Sequence, residues 1–98
     1  MSNLFPEGWV PVDPAMPHHR KVISDRVEVH VTTRQTGWSQ FGVDAPDWHY
    51  CVVIDGQRAG QAMVDTRFED VAEPHIEATR RAEKLGAEAV RYLADAEA

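Results

Sequence analysis

His30, His49, Cys51 and Asp65 are the side chains of this chain best suited to hold a transition-metal ion, because imidazole, thiolate and carboxylate are the ligands such ions take from proteins. Their spacing argues against a site. Zinc centres are written as paired ligands at short repeats such as C-x-x-C or H-x-x-x-H, and His49-x-Cys51 with a solitary His30 is neither. His18-His19 lies beside a proline-rich segment and reads as a solvated pair. No metal or other cofactor is therefore expected. Ser24, Ser39 and Cys51 are the candidate nucleophiles, yet nothing around them marks a positioned base. Asp44 with Asp47, and Asp65 with Glu69 and Asp70, offer carboxylate pairs, but turn and cap roles account for them. The chain reads as one that binds, with no catalytic residues.

The elements that would carry these groups are legible from Arg26 onward. Val27, Val29, Val31 and Thr33 alternate with Glu28, His30, Thr32 and Arg34, the period of a half-buried strand. Asp47 to Ile54 is rich in aromatic and β-branched residues and runs into Asp55-Gly56, a dipeptide favoured in two-residue hairpin turns. The return strand is expected from about Ala59 to Phe68, with Gly60 marking a bulge. A single helix follows. Pro74 suits its first turn, Glu69, Asp70, Glu73 and Glu77 favour its positive N-terminus, and Asp70 or Glu73 would help cap it. Ile76, Thr79, Ala82, Gly86, Ala89, Val90 and Leu93 share one face, while Glu77, Arg81, Lys84, Glu88, Arg91 and Asp95 share the other.

The fold class expected from this order is α+β: a three-stranded antiparallel sheet in β-β-β-α order, with one long C-terminal helix packed on one face. Parity then sorts the strand residues. Val27, Val29, Val31, Tyr50, Val52, Ile54, Ala62 and Val64 would meet the helix. Glu28, His30, Thr32, His49, Cys51, Val53, Gln61, Met63 and Asp65 would share the opposite face, a set too polar for a core and too apolar for plain solvent. Before the sheet, Pro6, Pro11, Pro14 and Pro17 are four of the six prolines. They imply an extended arm over residues 1–24, carrying Phe5, Trp9, Val10, Val12 and Met16 ahead of a single domain at 25–98. The connection from Gln35 to Pro46 holds Trp38 and Phe41, and large aromatics in a loop suit recognition.

Composition bounds the rest. Ninety-eight residues suffice for one domain, and 43% hydrophobic with 27% charged residues describes a globular chain. Sixteen acidic against ten basic residues leave a net charge of −6, which repels nucleic acid and suits a basic protein partner. The lone Cys51 rules out an internal disulfide. With no charged start followed by an apolar run, and no apolar run long enough to cross a bilayer, a cytoplasmic location without membrane attachment is expected.

Cys51 to Ala62 with the helix beyond it resembles, loosely and over less than half the chain, the last two strands and final helix of double-stranded-RNA-binding domains. The resemblance would imply a small nucleic-acid-binding domain. Those domains begin with a helix and carry lysines at the start of the last one, where this chain reads Glu69-Asp70-Val71-Ala72-Glu73-Pro74. The leading expectation is a small acidic, non-enzymatic protein-binding module: an inhibitor, adaptor or assembly subunit of the kind a phage encodes, acting as a homodimer or in a larger assembly. Its partner-binding residues would be Trp9, Trp38, Phe41 and Trp48 with His30, His49 and Met63. A nucleic-acid-binding domain gathering Arg20, Lys21, Arg26, Arg34 and Arg67 is one alternative, and a metal- or thiol-dependent enzyme built on Cys51 and the histidines is another.

Overall fold

Val27, Val29 and Val31 are each no more than 1% exposed, and they form the spine on which the other elements are laid. The computed structural model describes residues 5–13, 18–33, 48–65 and 69–97. It is an α+β fold with an antiparallel sheet and one C-terminal helix. The sheet has five strands where three were expected: β1 (Val10–Asp13), β2 (His18–Val22), β3 (Val27–Thr33), β4 (Trp48–Ile54) and β5 (Gln57–Val64), paired in chain order. The helix α1 spans Pro74–Glu97.

The two additional strands come from the segment expected to be an arm. β2 runs antiparallel to β3 with His19 opposite Val31 and Lys21 opposite Val29, and β1 pairs with β2 at the sheet edge. Pro11 is tolerated there because an edge strand has one side whose N–H groups need no ladder partner, and the register shifts between Pro11 and Asp13. His18-His19-Arg20-Lys21-Val22 hid its strand character behind polar side chains. Its inward positions are filled by an imidazole and by the methylene stem of a lysine, both of which cover apolar surface.

The expected hairpin is present. Asp55 and Gly56 have φ of 53° and 81°, the two left-handed residues of a primed two-residue turn. The return strand starts directly after that turn, so it runs two residues earlier than expected, and the register slips opposite Val52 and Val53, where Gly60 and Arg58 are successive partners. Residues 66–68 lie outside the described set. Arg26 clasps Asp55 through two hydrogen bonds of 2.9 and 2.7 Å and also binds Glu97. One guanidinium thus ties the β2–β3 turn, the β4–β5 turn and the end of the helix together.

The helix begins at Pro74, a position where the missing N–H costs nothing. Ala78, Thr79, Ala82, Gly86 and Ala89 are its buried residues, four of which the periodicity anticipates. They pack on Val27, Val29, Val31, Val52 and Val64. Small side chains let the axis come close: a Cβ at Gly86 would lie 2.8 Å from Ile23 Cγ1 and 3.1 Å from Val29 Cγ1. On the outside, Arg81 bridges Glu77 at 2.8 Å and Glu69 at 2.5 Å.

Trp9 completes this layer. It is 7% exposed, and its Nε1–H donates to Glu83 Oε1 at 2.9 Å, an oxygen that also accepts from Lys21 Nζ at 2.9 Å. Phe5 stacks on His19 with ring centroids 3.8 Å apart and meets Trp48 and His75 edge-on. Phe5 and Trp9 are therefore held on the helix side of the sheet. Among the described residues no helix is long and apolar enough to cross a membrane.

Candidate functional site on the open sheet face

With α1, Trp9 and Phe5 on one side of the sheet, no described element lies across the other. Strand register places its residues in rows. Thr32, His49 and Met63 are aligned across β3, β4 and β5; so are His30, Cys51 and Gln61; so are Glu28, Val53 and Arg58. β2 adds His18 beside Thr32, Arg20 beside His30 and Val22 beside Glu28. All of these but Glu28, Arg20 and Val22 line a shallow groove of about 710 Å³ centred on β4.

A connected polar chain runs from His18 and His30, in the groove, to Glu28 and Arg20 beside it. His18 Nε2 lies 2.8 Å from His30 Nδ1, His30 Nε2 lies 3.6 Å from Glu28 Oε1, and Arg20 Nη1 lies 3.6 Å from Glu28 Oε2. A contact of 2.8 Å between two imidazole nitrogens requires one N–H and one lone pair, so the pair is held together only while at least one ring is neutral. Burial, and then the neighbouring rings of His30 and His19, hold the His18 pKa below its ordinary value. On the β5 side, Arg58 donates to Gln61 Oε1 at 3.0 Å. Burial pushes the Cys51 thiol up, and Arg58 offsets this only in part, so the thiol is not an activated nucleophile.

Apolar groups complete the surface. Val22 is 62% exposed, Val10, which is paired with Arg20, is 49% exposed, and Met63 is 36% exposed.

Of the residues expected to bind a partner, His30, His49 and Met63 share this groove. Trp9 does not. It is spent in the core, because its ring fills the space between Lys21 and the helix and its N–H is taken by Glu83. Trp48 is half-buried on the helix side, packed with Phe5 and His75. Trp38 and Phe41 lie outside the described residues. Asp65, expected on the open face, is buried at 9% exposed; its carbonyl accepts from the Glu69 N–H, and its own N–H donates to the Glu69 carboxylate. Among the described residues no group of three or more His, Cys, Asp or Glu is arranged to hold a metal ion.

Sequence reasoning missed His18 and Arg58 as members of the face. The signal for His18 was available only to a reader who took residues 18–22 as a strand, since His18, Arg20 and Val22 then alternate with His19 and Lys21. Arg58 enters the groove because β5 begins earlier than the pattern suggested and the register slip between Gly60 and Arg58 turns its side chain to the open face.

The histidines also set a pH dependence. Burial lowers the pKa of both His18 and His19, and the buried His19 Nδ1 has no hydrogen-bond partner. The folded chain therefore binds fewer protons than the unfolded chain just below the ordinary imidazole value of 6.5. Stability from these groups is complete above that value and is lost as pH falls through their lower, folded values. Thermal melts stepped from about pH 7.5 to 5 should show a falling midpoint, while His19→Gln should flatten part of the decline. A midpoint that stays level over that range would contradict the assignment.

The chain matches no protein-family model, no curated protein and no solved structure.

Proposed function

We propose that the chain is a small, non-enzymatic protein-binding module that docks through the open face of its sheet. The observation behind this reading is the difference between the two sides of the sheet. One side is filled by the helix, Trp9 and Phe5, whereas the other offers Val22, Val10 and Met63 to solvent around a groove. Exposed apolar side chains set among hydrogen-bonded polar ones on one face are what a protein interface covers. As an inhibitor, adaptor or assembly subunit of the kind a phage encodes, such a module would work in a reducing cytoplasm, where a lone thiol stays free.

Neither alternative draws similar support. Arg20 pairs with Glu28 on the open face, Lys21 with Glu83 on the opposite face, and Arg26 with Asp55 and Glu97 at one end of the sheet, so these three form no common stripe for phosphates. An enzyme built on Cys51 would need a lowered thiol pKa, and burial acts in the other direction.

The test is site-specific photo-crosslinking in the expressing cell. A photoreactive residue at Met63, on the face, should give protein adducts; the same residue at Tyr92, 69% exposed on the helix, should give few. Adducts from Tyr92 with none from Met63 would move the docking surface to the helix.

A further inference from the structure

We propose that the occupant of the open face is a second copy of this chain, packed sheet to sheet about a two-fold axis that runs along β4. The inference rests on the docking reading above and names its partner.

The strand register carries it. β4 is flanked by β3 on one side and β5 on the other, and the groove is centred on it. Rotation about β4 lays β3 of one copy over β5 of its mate and lays β4 over itself. The row Glu28, Val53, Arg58 then becomes self-complementary: Glu28 of each copy meets Arg58 of the other, with Val53 against Val53 between them. Thr32 meets Met63 and His30 meets Gln61 by the same operation. Within one chain Glu28 and Arg58 stand two strands apart, about 10 Å, and do not pair with each other. Glu28 faces Arg20 and His30, while Arg58 holds Gln61 of its own strand and the thiol of Cys51. Two copies bring together opposite charges that one copy leaves separated.

Charge also selects the occupant. The whole chain carries −6, so two copies repel each other over most of their surface. On the open face the described charges, Arg20, Arg58 and Glu28, are of both signs, and the two-fold sets Glu28 of one copy against Arg58 of the other. A basic partner would be drawn to the carboxylates of the helix and not to this groove. The three strands that overlie their mates, β3, β4 and β5, at about 4.8 Å spacing and about 7 residues of 3.3 Å each, present about 330 Å² of projected face. That is below the standard size of a stable interface, so the pair should form and part with concentration instead of being permanent.

The experiment is a charge swap read by sedimentation or light scattering of the purified full chain over a concentration series. The parent should show a concentration-dependent dimer. Glu28→Arg and Arg58→Glu, each placing like charges together, should raise the dissociation constant at least tenfold, and the double swap should recover to within about threefold of the parent. Arg58→Ala, on an exposed strand where little else depends on it, removes the same bridge should Glu28→Arg disturb the fold. A parent that is monomeric at every concentration overturns the proposal, and the Met63 crosslink in cells then judges the docking reading separately. A dimer indifferent to either single swap also overturns it, because the copies must then meet elsewhere. So does a double swap no stronger than the singles, since Glu28 and Arg58 are then not opposite each other.

Discussion

Trp9→Ala is expected to cost about 3–5 kcal/mol of unfolding free energy, the largest loss of any single substitution considered for this chain. The indole is 7% exposed and lies between Lys21 and the helix, and its N–H donates to Glu83 Oε1 at 2.9 Å. Truncation removes that burial and leaves a cavity that the surrounding valines cannot close without moving β2. Burial alone would push the Glu83 carboxyl up; hydrogen bonds from Lys21 and Trp9 outweigh it and hold the pKa below the usual 4.5. Trp9→Phe separates the two contributions. It keeps most of the apolar contact and removes one donor to a charged acceptor, which still holds Lys21, so a loss of about 1.5 kcal/mol is expected. Urea unfolding followed by far-ultraviolet circular dichroism measures both, and a Trp9→Ala loss under about 1 kcal/mol would show that the indole is not seated in the core. For a domain with on the order of 5–10 kcal/mol in total, the expected loss leaves little margin.

Gly86→Val is the second. The backbone of α1 lies close to Ile23 and Val29 here, and the first added carbon would already stand 2.8 Å from Ile23 Cγ1 and 3.1 Å from Val29 Cγ1. Val29 is fully buried and stiff at χ1, so it cannot swing aside. Overpacking of this kind costs about 3 kcal/mol, which for a domain of this size lowers the melting temperature by about 15 °C. Gly86→Ala is more nearly balanced, because a gain of about 1 kcal/mol in helix propensity offsets a smaller clash. Ala87→Val, one residue along on the exposed face, serves as the control and should cost no more than about 0.5 kcal/mol. Equal losses at positions 86 and 87 would mean that valine harms the helix itself and that close approach to the sheet is not the cause.

These two residues also show what could be read in the sequence and what could not. Gly86 was legible: its place on a stripe of alanines at helical spacing implies a helix lying close on a sheet. The β3 alternation and the Asp55-Gly56 turn were legible for the same reason, since local periodicity and turn chemistry decide them with few competing solutions. Trp9 was not. Prolines at 6, 11, 14 and 17 suggest a strap, and nothing local says that β1 among them pairs with β2, that β2 after them pairs with β3, or that an indole slides beneath the helix. That outcome is set by contacts distant in sequence, which single-chain patterns do not encode. The open face follows the same division. Parity assigned His30, His49 and Met63 to it, whereas His18, Arg20 and Val22 joined only because β2 exists, and Asp65 left it because β5 ends at Val64.

The order of the strands carries a consequence for how the chain reaches this state. Each of β1 to β5 pairs with its neighbour in sequence, so the whole sheet can assemble by successive zippering, with each step closing only a modest loop. The helix contact to Trp9 is of another kind, since the hydrogen bond to Glu83 spans 74 residues. A nascent chain leaving a ribosome would therefore have its sheet in place, with Trp9 and the valines of β3 bare on one side, until the last turns of α1 emerge. The interval before the helix docks is the period in which this protein is most open to misassembly.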